Sequence, residues 1–423
     1  MLDAASHLEE DALYRKVIWR IFPLFFLGFV FSYLDRVNIS FAKLDMAAEF
    51  GLSDASFAVG ASVFFWGYML FEIPSNLVMQ RVGARAWIAR IMITWGVVSM
   101  LMVFSRNQTI FYLLRFLLGA CEAGFVPGVM YYTNTWLPAR RQGGMYARFL
   151  MALPISIVIG APISGAILNS MNGVLGLRAW HWLFLLEGMP CVVLGFVILA
   201  LLRNRPSDVR WLTDAEKRTI ERNVTSEAGH KLARVGDMLK CGRIYLLILT
   251  MILFNTGFYG LTFWLPTVLQ HSGVASSFHI GLFTAIPFGC AALSMYLNAR
   301  RAEKTGRYRL HGTAAVIIAS AGLFLATAFH QSFWFSLAML AVAASGILAL
   351  MPIYWTLPGR LLSGTAAAAG LALINSCGSL SGVLGSLLIG YLGVQTGMYV
   401  LAVLLVICGA TFFVICPPRE QPA

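Results

Sequence analysis

Twelve separate stretches of this chain each run for about 20 residues with few charged side chains, the length an α-helix needs to cross the hydrocarbon of a bilayer. They lie near 17–37, 57–79, 86–105, 108–131, 143–168, 181–202, 243–269, 278–299, 310–329, 332–356, 364–390 and 394–416. In hydrocarbon every backbone N–H and C=O must find its partner within the protein, and a helix supplies those partners from its own segment. A transmembrane barrel needs short alternating segments instead, and the chain does not read that way. Hydrophobic residues make up 59% of the 423 and charged residues 12%, against about 45–50% and about 25% in a soluble domain. The expected fold class is an all-α integral membrane protein with twelve transmembrane helices.

The formal net charge is +12, which on a soluble chain would suggest a nucleic-acid footprint. Here the basic residues cluster in alternate connections instead. Arg15, Lys16 and Arg20 precede helix 1, Arg81, Arg85 and Arg90 follow helix 2, and Arg140, Arg141 and Arg148 follow helix 4. More lie between Arg203 and Arg243, then at Arg300, Arg301, Lys304, Arg307 and Arg309, at Arg360 and at Arg419. By the positive-inside rule this pattern puts both termini in the cytoplasm, with the protein in a cytoplasmic (inner) membrane. No nucleic-acid partner is expected. The stretch Met1–Tyr14 is acidic, with Asp3, Glu9, Glu10 and Asp11, and lacks the basic start of a signal peptide. The seven cysteines, Cys121, Cys191, Cys241, Cys290, Cys377, Cys408 and Cys416, show no metal-ligand spacing and read as packing residues.

One long polar segment interrupts the pattern at 204–242. Within it Thr213, with Glu216 three residues on, has the form of a capping box opening an amphipathic helix. The segment divides the chain into a six-helix bundle at 1–203, a cytoplasmic central loop at 204–242 and a second six-helix bundle at 243–423. A weak repeat supports the division. Trp136-Leu137-Pro138 after helix 4 is echoed by Thr356-Leu357-Pro358 after helix 10, and Gly165 and Gly385 stand at the same offset. Parallel halves around a midplane site are a transporter layout, and twelve spans with a cytoplasmic central loop resemble the major facilitator architecture.

Ionisable residues inside spans are costly and tend to be functional. Asp35, Arg36, Glu72, Arg115, Glu122 and Glu187 all fall in helices 1–6, whereas helices 7–12 contain no acid. A proton carrier that uses a carboxylate therefore belongs to the first half. Asp35, at the end of helix 1, and Arg115, early in helix 4, share the outer half and are expected to pair. Glu72, near the cytoplasmic end of helix 2, is expected to hold the loop between helices 2 and 3, and Glu187 reads as structural. A buried carboxylate can take up a proton, and an adjacent arginine stays charged and can grip either that carboxylate or an anionic substrate. Tyr33, Tyr68, Tyr259, Trp264, Tyr354, Trp355 and Asn375 are candidate cavity residues, Asn375 because an amide in hydrocarbon needs a partner.

Asp35-Arg36-Val37-Asn38-Ile39-Ser40 resembles the signature that closes helix 1 in the anion:cation symporter family of the major facilitator superfamily. So does the run from Arg115 through Gly119, Glu122, Gly124, Pro127 and Gly128. Glu72-Ile73-Pro74-Ser75-Asn76, Gly83-Ala84-Arg85-Ala86-Trp87, Trp182 through Gly188 and Trp355-Thr356-Leu357-Pro358 extend the likeness over nearly the whole chain. The stretches Arg81–Thr94 and Gly173–Glu187 look most like the bacterial tartrate branch, beside hexonate and aromatic-acid permeases. The resemblance implies proton coupling at Asp35 and Glu122. It implies substrate contacts at Arg36, Arg115, Tyr33, Tyr68, Trp355 and Asn375. Gln80 stands where the wider superfamily has an acid, and Gly385 where a proline is expected in helix 11.

The leading expectation is a secondary active transporter, a proton-coupled importer of a small organic anion such as tartrate, a sugar acid or an aromatic carboxylate. It would be monomeric, with protons as coupling ion and no further cofactor or metal. Gly160-Ala161-Pro162-Ile163-Ser164-Gly165 in helix 5 keeps a proton-coupled efflux antiporter in view. A nutrient sensor on a transporter scaffold would carry a large cytoplasmic extension, and this chain has short tails. With no metal cluster or nucleophile–base pair, an enzyme is not expected.

Overall fold

Helix 2 sorts its own residues by what they must touch. Phe64, Tyr68, Glu72, Ser75 and Met79 recur every three or four positions and are buried, whereas Leu70, Ile73 and Leu77 lie outward and exposed. That spacing is one face of a 3.6-residue helix, and exposed leucine and isoleucine suit a surface whose solvent is lipid. In a computed structural model of the chain, which describes residues 2–226, 240–358 and 364–417, such helices make up nearly all of the ordered backbone. Among the described residues there is no strand.

Twelve helices are long and apolar enough to span a membrane. They are Glu10–Ala47, Asp54–Val82, Ala84–Phe104, Gln108–Trp136, Arg148–Ser170 and Ala179–Leu201 in the first half. In the second half they are Gly242–His271, Ser277–Thr305, Tyr308–Ala328, Phe333–Tyr354, Leu373–Leu392 and Val394–Ile415. They are numbered 1 to 12 in that order and form two six-helix bundles. Between them, the capping box at Thr213 forms as read: the Glu216 side chain accepts from the Thr213 N–H at 2.7 Å, and the Thr213 hydroxyl accepts from the Glu216 N–H at 3.3 Å. The helix it opens, Asp214–Ser226, docks on the first bundle through Lys16–Glu216 at 2.9 Å. Beside it the Arg20 guanidinium lies 4.4 Å from the centre of the Trp211 ring. The remainder of the central loop from 227 to 239, and Arg360, Arg419 and Glu420, lie outside the described residues.

Two helices depart from the expected outline. Helix 1 does not end at Asp35 but continues to Phe50, so Asp35 and Arg36 lie well inside it. Helix 4, expected as one continuous stretch, is broken at the middle. Its first half ends at Glu122, Gly124 takes a left-handed conformation at φ 91°, and the second half starts at Phe125. Pro127 has no N–H to give the Ala123 carbonyl four residues back, which would leave that oxygen orphaned in the membrane. The Ser75 hydroxyl of helix 2 donates to it at 2.7 Å, and in turn accepts from the Trp87 indole at 3.0 Å. A glycine is required at 124 both by its φ and because a Cβ there would come within 2.4 Å of the Ser75 oxygen.

The halves meet most closely at the end of the bundle away from the termini. Helix 5 packs on helix 8 and helix 2 on helix 11. A Cβ at Gly281 would come within 2.2 Å of the Ala161 carbonyl oxygen, so the two backbones touch directly there. Beside them Lys43 bonds Asp54 of its own half at 2.7 Å and the Thr267 hydroxyl of the other at 3.3 Å. Its ammonium also lies 4.1 Å from the centre of the Trp264 ring.

Ser75→Ala is expected to lower stability by about 1–3 kcal/mol, the cost of a buried carbonyl left without its donor, read as a lower unfolding temperature in detergent. Ser62→Ala, which removes a hydroxyl bonded only to its own helix, serves as control, and equal losses in the two would count against the account of the break. Gly281→Leu is expected to lengthen the distance between spin labels at Ser170 and Ala275, because the halves cannot approach as closely. An unchanged distance would mean that the neighbouring backbone gives way.

Candidate functional site

Arg36 and Glu122 form the centre of the site. The Arg36 Nε and Nη2 both donate to Glu122 Oε1, at 2.8 and 2.6 Å, and the Ser32 hydroxyl adds a third donor at 2.5 Å. Ser32 and Arg36 are four residues apart, so one face of helix 1 presents both to helix 4. Both members of the pair are buried, Glu122 with 1% of its surface exposed. The carboxylate's other oxygen, Oε2, has no hydrogen-bond partner among the described residues.

Aromatic rings enclose the guanidinium. Its carbon lies 5.2 Å from the Tyr33 ring centre, 5.0 Å from Tyr68 and 5.3 Å from Phe64. Such faces attract a cation that has been stripped of water. The third nitrogen of Arg36 donates to the hydroxyl of Tyr259 on helix 7, at 3.4 Å, so the site crosses between the two bundles. Phe65 packs edge-on against Tyr259 at 4.8 Å from the same side.

Arg115 lies fully buried one ring away, its guanidinium carbon 4.9 Å from the centre of Phe64. Its Nε donates to the Gly60 carbonyl at 3.3 Å, whereas Nη1 and Nη2 have no partner among the described residues. A buried cation with two unused donors is costly unless something else satisfies it.

The expected Asp35–Arg115 pair is not formed. Asp35 accepts from the Trp95 indole, from the Ser99 hydroxyl at 2.7 Å and from the Asn38 amide at 3.0 Å. Those partners, with Cys191 of helix 6 at 3.9 Å, place it in the interface of helices 1, 3 and 6. The physical reason is azimuth: consecutive residues on a helix point about 100° apart. Asp35 therefore faces into its own bundle while Arg36 faces helix 4 and the cleft between halves.

Glu72 also departs from expectation. It does not hold the connection between helices 2 and 3. Its two carboxylate oxygens accept from the Asn375 amide at 2.7 Å and from the Ser376 hydroxyl at 2.8 Å, both on helix 11. It is 3% exposed and joins the two bundles. Glu187 accepts from Ser164 of helix 5 at 2.6 Å, inside the first bundle.

Of the sequence candidates, Tyr33, Arg36, Tyr68, Arg115 and Glu122 come together, and Asn375 joins them through Glu72. Trp355 lies half-buried at the end of helix 10, its ring edge-on against Tyr354, with no partner for its indole N–H among the described residues, and it is not brought to the other candidates. Ser32, Lys43 and Ser376 were not anticipated. Short hydroxyls and a lysine near a span end carry little signal until the partner helix is known. No group of His, Cys, Asp and Glu able to hold a metal ion occurs among the described residues.

The family model described as Major Facilitator Superfamily matches residues 25–386. A protein of Agrobacterium vitis named as a tartrate transporter is 42% identical over 393 residues, covering 92% of this chain and 87% of that one. A quinolone resistance transporter of Acinetobacter baumannii is 37% identical over 393 residues, covering 92% and 90%. Among solved structures, the inward open conformation of the xylose transporter XylE from E. coli matches with a TM-score of 0.77 at 14% identity, over 95% of this chain and 97% of that one. That likeness bears on the fold alone. With twelve apolar helices, a matching model over most of its length and relatives that are themselves transporters, this multi-pass membrane transporter belongs to the Major Facilitator Superfamily.

Proposed function

We propose that the protein imports a small organic anion together with protons, by alternating access, across a cytoplasmic membrane with both termini inside. The observation that carries the reading is the buried Arg36–Glu122 pair beside Arg115, whose outer guanidinium nitrogens have no hydrogen-bond partner among the described residues. Two arginines buried about the Phe64 ring favour an anion, and each carries the flat fork of donors that fits a carboxylate.

Coupling follows from competition for one guanidinium. While Glu122 is ionised, it occupies two donors of Arg36. Protonation removes its charge and loosens that hold, and the substrate carboxylate takes its place. The charge within the cleft stays nearly balanced throughout, which matters where unpaired charge is costly. Asp35, held by three neutral donors away from the cleft, acts as a second proton site that substrate does not touch. Tyr33 and Tyr68 flank the Arg36 guanidinium, and Asn375, bonded to Glu72, contributes from the second half. The bundles, closed at the end away from the termini, open toward the cytoplasm to release the anion.

A second reading, proton-driven efflux, is favoured by the kinship with a quinolone resistance transporter. An anion remains the better fit, because the first bundle buries two arginines about the Phe64 ring.

In proteoliposomes an inward proton gradient is expected to drive concentrative uptake of an organic acid, and a protonophore to abolish it. Extrusion of cationic or neutral compounds without acid uptake would favour the efflux reading. Glu122→Gln is expected to lose gradient-driven accumulation while retaining much of its substrate exchange, and equal loss of both would assign the residue a structural role. Arg36→Lys keeps the charge but loses the fork. It is expected to weaken substrate affinity by about tenfold or more, the worth of a charged hydrogen bond. Unchanged affinity would exclude it as the anion anchor.

A further inference from the structure

Glu72 is buried, ionisable and bonded across the cleft, yet the coupling scheme above makes no use of it. Helix 2 carries it one turn beyond Tyr68, whose ring lies 5.0 Å from the Arg36 guanidinium, and on the same buried stripe. Opposite Glu72, Asn375 and Ser376 stand side by side on helix 11, each bonded to a different carboxylate oxygen. The carboxylate cannot turn without losing one of them.

An ionised carboxylate only accepts hydrogen bonds. Asn375 must therefore direct its NH2 group at Glu72, which fixes the orientation of an amide that could otherwise rotate end for end. Its oxygen is left as an acceptor. Among the described residues no hydrogen bond to that oxygen is formed, and Asn375 is half-buried. The two arginines of the first half offer donors alone, and the second half thus offers a fixed acceptor.

We infer that Glu72 is a positioning residue that sets substrate preference: by orienting the Asn375 amide, it makes the site select organic acids that carry a hydroxyl group over their unhydroxylated analogues. This rests on the organic-anion reading above. The substrate carboxylate goes to the guanidinium side, and its hydroxyl proton goes to the Asn375 oxygen. An analogue without the hydroxyl leaves that acceptor desolvated and unpaired, which is the situation that produces strong discrimination. Glu72→Gln is nearly the same size but can donate as well as accept, so the amide is free to turn over.

The test compares uptake of tartrate and succinate, two dicarboxylates that differ only in hydroxyl groups, by wild-type and variant proteoliposomes. Wild type is expected to favour tartrate. In Glu72→Gln the ratio of Vmax/KM for tartrate over succinate is expected to fall by about tenfold or more, with succinate KM little changed. Asn375→Ala is expected to give the same collapse, and the double variant no further loss. Should Glu72→Gln fail to fold, Glu72→Asp, which keeps the charge but draws the carboxylate back from Asn375, takes its place and is expected to lower the same ratio, and an unchanged ratio would overturn the inference. A wild type without preference for tartrate, or variants that lose both substrates equally, would overturn the inference, the latter leaving Glu72 as a structural tie. A wild type that transports neither acid, nor any other carboxylate, would instead overturn the organic-anion reading on which it rests.

Discussion

The ion pair between Arg36 and Glu122 sets the terms for the rest of the site. Neither charge is tolerable alone in this setting, since removing one member of a buried pair strands the other at a cost of about 3–5 kcal/mol. The protein meets that constraint by surrounding the pair with further donors and rings. Ser32 adds a hydrogen bond to the carboxylate, and Tyr33, Phe64 and Tyr68 give the guanidinium three aromatic faces. A ligand that competes for Arg36 must therefore bring its own negative charge. The same constraint bears on Arg115, whose Nη1 and Nη2 have no partner among the described residues.

The break in helix 4 gives the pair its position. Glu122 is the last residue before the backbone turns away, so the carboxylate stands at a helix C-terminus, and the Arg36 cation meets it at the end of a helix that favours positive charge. Irregular backbone at membrane depth is tolerated only where protein satisfies it. The relay from Trp87 through Ser75 to the Ala123 carbonyl does so. Gly124 and Pro127 thus act as a unit: the glycine permits the turn, and the proline frees the carbonyl that Ser75 then holds.

The spans, the capped helix after Thr213 and the identity of the buried charges were legible in the sequence, because each depends on local pattern. What depended on two helices at once was not. Depth along the membrane suggested that Asp35 and Arg115 would meet, but depth carries no azimuth, and a one-residue step turns Asp35 toward Trp95 and Ser99 while Arg36 turns toward Glu122. Glu72 was assigned to its nearest loop because its true partners, Asn375 and Ser376, lie some three hundred residues away in the chain. The interruption of helix 4 did have a local signal, a glycine three residues before a proline. Hydropathy passes through that signal unchanged, which is why the span read as continuous.

The two ends of the cleft are closed by different means, and the difference bears on how such a molecule can alternate. Away from the termini, helices 5 and 8 touch backbone to backbone at Gly281, reinforced by Lys43 against Asp54, Thr267 and Trp264. Nearer the termini, the described contacts between halves include the two hydrogen bonds of Glu72, a tie made by side chains alone. Hydrogen bonds to a charged group contribute roughly 1.5–3 kcal/mol each, which is the scale of the few kcal/mol that separate interchanging conformations. A ligand shifts such an equilibrium only by binding one state better than the other. An anion that recruits both Arg36 on the first half and Asn375 on the second has that property, because its two contacts keep their spacing only when the halves stand at one particular separation. On the proposed reading, the groups that would recognise the substrate are the same groups that would sense how far the halves have moved, with no separate relay between binding and closure.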